Sequence, residues 1–211
     1  MFKKLLLSLV LLIPAVLEAQ QAPAGGSALF PEPAIEALQI TDKDKGGVEL
    51  VPVEGQVFKR ALKCTTTQNS EKVWDVQAEA PIPVALEAGD VILAEFWMKA
   101  DQTSVESGEA SSEFIVERLG DPWTKSVGYA LSVGPQWKKY SIPFTAVESL
   151  DAMKSHVCFR MGYKPQAFEL ADLKLANYGT RVKLESLPVT KMTYGGEETD
   201  APWRKEAEAR I

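Results

Sequence analysis

The chain has 211 residues, a formal net charge of -6, one histidine and two cysteines. An acidic chain without a basic run is a poor match for nucleic acid or for an anionic membrane surface, so neutral partners are favoured. Two cysteines are too few for a disulfide framework: Cys64 and Cys158 could form one bridge, but two small buried side chains are the preferred interpretation.

Residues 1–19 have the layout of a secretory signal peptide. Lys3 and Lys4 precede an apolar stretch from Leu5 to Ile13, and Ala19 is a small residue that suits a cleavage position. The alternative is a retained membrane anchor, but the apolar run is too short to span a bilayer. We therefore expect no membrane insertion and a secreted protein, periplasmic or extracellular, after removal of this segment.

The body of the chain, residues 30–182, has a two-residue period broken by turn-forming sequences such as EAGD, LGDPW and GYKPQ. A linker of small residues, Pro and Gly at residues 20–29 precedes it. The pattern predicts an all-β fold, an antiparallel jelly-roll sandwich of short strands. The predicted strands are Phe58–Thr65, Val73–Ala80, Val91–Ala100, Glu113–Leu119, Ser126–Val133, Trp137–Phe144, His156–Tyr163 and Phe168–Ala176.

The strand VILAEFWMKA carries the strongest functional signal. Alternation places Glu95, Trp97 and Lys99 on one face. A tryptophan between an acid and a base suits a sugar ring, whose C–H face stacks on the indole while its hydroxyls bond the charged groups. The alternative is a half-buried tryptophan beneath a loop. The opposite, core-directed face holds Ile92, Ala94, Phe96 and Met98.

Two other strands place long polar side chains opposite an apolar set. Gln77 lies opposite Trp74, Val76 and Ala78, and Arg160 lies opposite Val157, Phe159, Met161 and Tyr163. We hypothesise that Gln77 and Arg160 line one groove together with the face of Trp97. Trp123, in the turn LGDPW, is either a platform at the rim or a plug for one end of the sandwich, and Trp137 is expected to pack.

Catalytic signals are weak. His156 lies in no metal-binding or nucleophile motif. Glu113 and Glu117 share a strand face at a spacing that glycosidases use, but alternate positions on any strand meet that spacing. The residues therefore predict a binding or structural domain and not an enzyme.

From Phe58 to Ile211 the sequence resembles a known family. The motifs W-D-V-Q, F-W-M-K-A, Q-W-K-K-Y-S-I-P-F and R-M-G-Y-K-P-Q-A-F-E-L-A-D-L-K-L-A-N-Y-G follow in this order. They are similar to the galactose-binding-like, carbohydrate-binding jelly roll that precedes the catalytic barrel of bacterial family 10 glycoside hydrolases, the endo-xylanase family. The resemblance implies a non-catalytic module that binds xylan or another β-linked polysaccharide. The alternative is a structural or spacer sandwich of a secreted or cell-surface protein, without a ligand.

Residues 183–211 are predicted as a linker and helix start, and the sequence from Leu187 to Ile211 is similar to the segment that joins the module to the barrel in that family. Gly195 and Gly196 break the chain, Asp200 can cap a helix, and Trp203 to Ile211 has helix-favouring composition. So short a helix needs its apolar stripe buried, so either a family 10 domain follows it or the tail docks on its own body. The first is expected, and the catalytic barrel, which takes about 250 residues, has no counterpart in this chain.

The resemblance implies no required cofactor. Relatives of the fold often hold a structural calcium ion near the edge of the sandwich. Asp172, in the closing strand of this sequence, is the residue that we expect as a ligand if such an ion is bound.

Overall fold

The computed structural model describes residues 21–194 and 197–199, with side chains described as far as Lys191. Within these residues the chain forms thirteen strands and three short 3-10 helices, at Ala34–Ala37, Val73–Asp75 and Leu184–Ser186. The strands are β1 (Ser27–Ala28), β2 (Gln39–Ile40), β3 (Gly46–Pro52), β4 (Arg60–Thr66), β5 (Gln77–Pro81), β6 (Val91–Thr103), β7 (Ala110–Arg118), β8 (Lys125–Val133), β9 (Lys138–Thr145), β10 (Ser155–Arg160), β11 (Gln166–Asn177), β12 (Met192–Tyr194) and β13 (Glu197–Thr199).

The strands form two antiparallel sheets packed face to face. Sheet A has the order β3-β4-β11-β6-β9, with β1 added beside β11, and sheet B has the order β2-β5-β10-β7-β8. Strands β12 and β13 pair only with each other. Apart from the hairpins β3-β4 and β7-β8, neighbours within each sheet are not consecutive in the chain, as in a jelly roll, and the predicted fold class is confirmed.

The core lies between the sheets. Ile92, Ala94, Phe96 and Met98 are fully buried, as predicted for the inward face of β6. Phe96 lies at the centre of an aromatic cluster, with its ring centroid 5.4 Å from Phe114, 5.2 Å from Phe159 and 5.3 Å from Tyr140. Burial of each such ring stabilises the fold by about 1.5 to 3 kcal/mol relative to an exposed one.

The predicted strand Val73–Ala80 is wrong at its beginning. Residues Val73–Asp75 form a 3-10 turn, in which the Lys72 backbone N–H donates to Asp75 Oδ2 at 3.2 Å. The Gly162 backbone N–H donates to the Val73 carbonyl at 3.0 Å, and a Cβ on Gly162 would approach that oxygen to 2.8 Å, so only glycine fits there. The turn breaks the alternation and takes Trp74 out of the core.

Tyr163 also differs from its predicted place on the core face. Strand β10 ends at Arg160, three residues earlier, and the chain turns through Gly162. The Tyr163 side chain consequently points away from the core and is 43% exposed. Met161, which precedes the turn, keeps its predicted core position and is fully buried.

The sandwich is wider than residues 30–182. Ser27 and Ala28, predicted as linker, pair with β11, and Leu29 is buried in the core. At the other boundary, Leu187 packs with Tyr178 in a smaller apolar cluster. The predicted signal peptide, residues 1–19, and the predicted helix from Trp203 to Ile211 lie outside the described residues. In the described part of the chain, no helix has the length and apolar character to cross a membrane.

The two cysteines are free and buried, which confirms the preferred interpretation. Cys64 lies on β4 in sheet A and packs in the main core. Cys158 lies on β10 in sheet B. The thiols are therefore small apolar side chains in separate sheets.

Candidate functional site

The five residues predicted to line one groove lie on the two opposite sheets. Glu95, Trp97 and Lys99 lie on the outer face of β6 in sheet A, whereas Gln77 on β5 and Arg160 on β10 pair directly with each other in sheet B. Because the core separates these outer faces, the five side chains do not form one groove. Alternation identifies the face of a strand but does not identify its sheet.

The outer face around Trp97 is packed and internally bonded. Trp97 is half-buried, 5.9 Å from the ring of Phe58, and Phe58 lies 4.9 Å from Trp137. Phe58 belongs to the connection between β3 and β4, which covers this face. The arrangement matches the alternative of a half-buried tryptophan beneath a loop, and it confirms that Trp137 packs.

The charged neighbours of Trp97 already have partners. Glu95 Oε1 lies 2.7 Å from Lys139 Nζ and accepts a hydrogen bond from Ser141 Oγ at 3.1 Å. Lys99 Nζ lies 3.1 Å from Glu169 Oε1. Since these groups satisfy one another, a sugar would have to displace existing bonds to reach them.

On the outer face of sheet B, Arg160 is the centre of a polar network. Its Nη2 donates to Glu117 Oε1 at 2.6 Å, and its Nε donates to Gln77 Oε1 at 3.1 Å. Its Nη1 lies 3.9 Å from Glu113 Oε2. Strand register causes this arrangement, because Gln77 on β5 and Glu113 on β7 lie directly opposite Arg160 on β10. The guanidinium is held in place with only 9% of the residue exposed.

His156 extends this network along β10. Its Nε2 lies 3.3 Å from Glu117 Oε1, and its Nδ1 lies 3.2 Å from Glu79 Oε2, an ion-pair distance without the angle of a regular hydrogen bond. Burial alone would lower the pKa of His156, but its contacts with the carboxylates of Glu117 and Glu79 outweigh burial and raise that pKa. The imidazole is thus stabilised in its charged form.

Glu117 is the most strongly perturbed carboxylate of the network. Burial alone would raise its pKa, but hydrogen bonds from His156 and Lys125, with the charge of Arg160, lower that pKa to about 2. Lys125 Nζ lies 2.9 Å from Glu117 Oε2. Glu117 therefore stays ionised at neutral pH.

Exposed aromatic rings flank this buried polar floor. Trp74 is 49% exposed, with its ring 5.7 Å from the guanidinium carbon of Arg160. Tyr163 donates its hydroxyl proton to Glu113 Oε1 at 2.6 Å, and burial together with this bond raises its pKa. At the other end, Trp123 is 47% exposed, 6.0 Å from the His156 ring, in a left-handed conformation with φ 57.

We call this surface the sheet B face, and it consists of Gln77, Glu79, Glu113, Glu117, His156 and Arg160 with the rings of Trp74, Trp123 and Tyr163. Arg160 and His156, which mark its two ends, are four residues apart on β10, or about 13 Å. On the adjacent β8 the outward side chains are small and exposed, at Gly128, Ala130 and Ser132. The face therefore has aromatic rings at its two ends, with the buried side chains of Cys158 and Ile115 between its polar groups.

Metal ligation does not fit the sheet B face. Glu117, His156 and Cys158 place ligand-type atoms within 4.8 Å of one another. However, Arg160 and His156 already bond Glu117 Oε1, and burial raises the pKa of the Cys158 thiol to about 12, so that the thiol keeps its proton. Two cationic neighbours and a protonated thiol oppose a bound cation.

Asp172, expected as a calcium ligand, has an ammonium partner instead. It lies at an irregularity in the pairing of β11 with β6, with φ 51, and its Oδ1 is 2.8 Å from Lys174 Nζ. The hydrogen bond to Asp172 raises the pKa of Lys174, so its charge persists at neutral pH. Calcium takes six to eight oxygen ligands, and a lysine at this carboxylate does not fit such a site.

Sequence reasoning missed two of the aromatic rings. Trp74 and Tyr163 were both predicted on core faces. Turn-forming residues could have indicated both exposed positions. The polar run QNSEK precedes Trp74, and Gly162 and Pro165 lie on either side of Tyr163. The exposure of Trp123 at the end of the sheet B face favours a platform at the rim over a plug for the sandwich.

Solved structures share this architecture. The CBM22-1 xylan-binding domain from Paenibacillus barcinonensis Xyn10C is similar with a TM-score of 0.52 at 15% identity, over 75% of this chain and 99% of that chain. A xylan-binding domain from CBM 22 has a TM-score of 0.50 at 14% identity, over 76% of this chain and 100% of that chain. The CBM22-1-GH10 modules of Clostridium thermocellum endo-1,4-beta-D-xylanase 10B have a TM-score of 0.50 at 13% identity, over 68% of this chain and 26% of that chain.

No family model and no curated protein matches the chain. At sequence identities this low, the similarity shows a shared fold and nothing more. The chain is thus a β-sandwich with the jelly-roll fold of these xylan-binding domains.

Proposed function

We propose that this chain is a non-catalytic carbohydrate-binding module, and that its sheet B face binds a neutral β-linked polysaccharide, with xylan as the first candidate. The exposed rings of Trp74, Trp123 and Tyr163 around a buried polar floor are the observation that carries the proposal. The similar fold of the xylan-binding domains supports it. The proposal moves the site from the Trp97 face to the opposite sheet and retains Gln77 and Arg160.

Each part of the face has a chemical role in this proposal. The C–H faces of the sugar rings stack on the indole and phenol rings, as aromatic platforms permit. Glu113 and Gln77, both partly exposed, exchange hydrogen bonds with sugar hydroxyls. The network centred on Arg160 fixes these groups before binding, which lowers the cost of ordering them.

Weak binding is expected, with a Kd on the order of 10 to 1000 μM. A flexible polysaccharide loses conformational freedom when it binds, and few polar groups of the face are exposed. Most of the free energy should therefore come from ring stacking.

The network also opposes catalysis by its carboxylates. A glycosidase needs a carboxylic acid that is protonated at working pH. Glu117 has a pKa of about 2 and is ionised. Glu113 already accepts the Tyr163 hydroxyl and lies beside Arg160. The face is suited to holding a sugar and not to protonating a glycosidic oxygen.

The proposal is tested by titrating the protein with xylohexaose, cellohexaose and soluble xylan in a calorimeter. Trp74→Ala should lose about 1 to 3 kcal/mol of binding free energy, the contribution of a large apolar contact. Trp97→Ala is the matched control, because Trp97 lies on the opposite sheet, and it should bind like the parent.

Two results would overturn this reading. If Trp97→Ala folds and loses binding while Trp74→Ala retains it, the site lies on sheet A. If the parent binds no glycan of a broad panel, the chain is a structural or spacer sandwich.

The biological setting is part of the same proposal. We infer an exported protein, processed near Ala19, that works beside a family 10 catalytic domain of the xylanase type. The similarity of Leu187 to Ile211 to the joining segment of that family supports this setting. N-terminal sequencing of the protein recovered from the periplasm or medium of a producing cell should give a start near Gln20. An unprocessed chain that begins at Met1 and stays inside the cell would contradict export.

A further inference from the structure

His156 is the only histidine of the chain, and it lies beneath the sheet B face. Only 1% of it is exposed, and the Trp123 ring lies 6.0 Å from its own. It contacts Glu117, the carboxylate that also bonds Arg160 at the other end of the face.

Both nitrogens of the imidazole face carboxylates. Nε2 lies 3.3 Å from Glu117 Oε1 and Nδ1 lies 3.2 Å from Glu79 Oε2. An ionised carboxylate only accepts hydrogen bonds, and a neutral imidazole donates from one nitrogen only. Only a ring protonated on both nitrogens presents an N–H to Glu117 and a positive charge at ion-pair distance from Glu79. A neutral ring would direct a lone pair at one of the carboxylates.

We propose that His156 is a pH-dependent support of the sheet B face: its doubly protonated ring holds Glu79 and Glu117 together under Trp123, and loss of one proton loosens the face and weakens glycan binding. This inference rests on the proposed function. It concerns regulation of that site, which the fold alone does not imply.

The surroundings of the ring contain few other groups that could produce the same effect. Glu117 and Glu79 are the carboxylates in contact, and Glu117 links the ring to the cations Arg160 and Lys125. Cys158, the other titratable neighbour on β10, has its pKa raised to about 12 by burial and does not titrate near neutral pH. The charged and titratable groups around His156 are Glu79 on β5, Glu117 on β7, Lys125 on β8, and Cys158 and Arg160 on β10.

The sign of the effect follows from the direction of the pKa. The pKa of folded His156 lies above its ordinary value of 6.5. Its contribution to stability is therefore fully present below pH 6.5 and is lost as the pH rises through the higher, folded-state pKa. Binding should decline over the same interval, because the glycan contacts the face that the charged ring supports.

Affinity for xylohexaose measured between about pH 6 and pH 9 tests the proposal. We expect the parent to lose affinity by roughly threefold to tenfold over this range, which corresponds to a pKa difference of up to about one unit between free and bound protein. His156→Gln should have low affinity and a flat profile. Glu79→Gln, which leaves the ring with one carboxylate, should shift the decline to lower pH.

The possible outcomes are distinct. A parent that binds equally well across this range, or a His156→Gln variant with the parent's pH profile, would overturn the proposal. If nothing binds at any pH, the proposed function fails and regulation of binding fails with it. Thermal unfolding at several pH values then tests separately whether His156 supports the face. The parent should lose stability as pH rises, whereas His156→Gln should not. Equal dependence of stability on pH in the two proteins would refute this role as well.

Discussion

Arg160→Met should lower the free energy of unfolding at neutral pH by about 3 to 5 kcal/mol, because removal of one partner leaves a buried charge poorly compensated. The side chain of Glu117 is 1% exposed, and its shortest bond in the network is to Arg160. His156 and Lys125 remain beside Glu117, which favours the lower end of the range. Chemical denaturation followed by tryptophan fluorescence measures the loss.

The loss should depend on pH. In the parent the pKa of Glu117 is about 2, below the ordinary value of 4.5, so the stability from its ionised form is present above pH 4.5 and is lost as pH falls toward 2. The Arg160→Met variant already lacks part of this stabilisation at neutral pH, so it has less to lose when Glu117 is protonated. The difference between parent and variant should therefore narrow in acid.

Two further variants separate the network from simple loss of a long side chain. Arg160→Met combined with Glu117→Gln should be more stable than the sum of the single losses predicts, because the buried charge of Glu117 that Arg160 compensates is then removed as well. Lys139→Met breaks the exposed ion pair with Glu95 on the other sheet, and it should cost less than about 1 kcal/mol. A loss for Arg160→Met as small as that for Lys139→Met would mean that Arg160 does not organise the face.

Much of the fold could be predicted from local pattern because both sheets have one core-directed face. In β6, residues from Ala94 to Ala100 alternate between buried and half-buried positions, and this alternation is visible in the sequence without knowledge of any neighbour. Strand β3 was missed for the complementary reason. It begins with Gly46 and Gly47 and ends with Pro52, so its apolar alternation is limited to Val48 and Leu50 on either side of Glu49.

The site was only partly predictable because it depends on long-range pairing. Gln77 and Arg160 were correctly expected on outward faces, but nothing near them in sequence indicates that β5 pairs with β10 while β6 pairs with β9 and β11. Trp74 is exposed because the turn before β5 is tied to Gly162, a contact between residues far apart in the chain. Local sequence patterns, which repeat every two to four residues, do not indicate contacts between residues that are far apart in the chain.

Phe96→Ala should cost about 3 to 5 kcal/mol of unfolding free energy, the range for removing an aromatic ring from a core. Phe96 is fully buried and contacts rings from β7, β9 and β10, so its removal leaves a cavity that its neighbours can fill only in part. Trp97→Ala, on the adjacent position, should cost less although the indole is larger, because the half-buried site opens to water. Urea unfolding of both variants gives the comparison.

Phe96→Ala and Trp97→Ala should also differ in glycan affinity. The difference should be opposite to the one expected from the sequence, which placed the binding site at Trp97. Phe114 and Phe159, which contact Phe96, are the chain neighbours of Glu113 and Arg160, so a cavity at Phe96 should disturb the floor of the sheet B face from below. Trp97 packs on Phe58, on the far side of the sandwich. Phe96→Ala should therefore weaken binding in its folded state, whereas Trp97→Ala should not. Unchanged binding in Phe96→Ala would mean that the floor is held by its polar network alone, without support from the core.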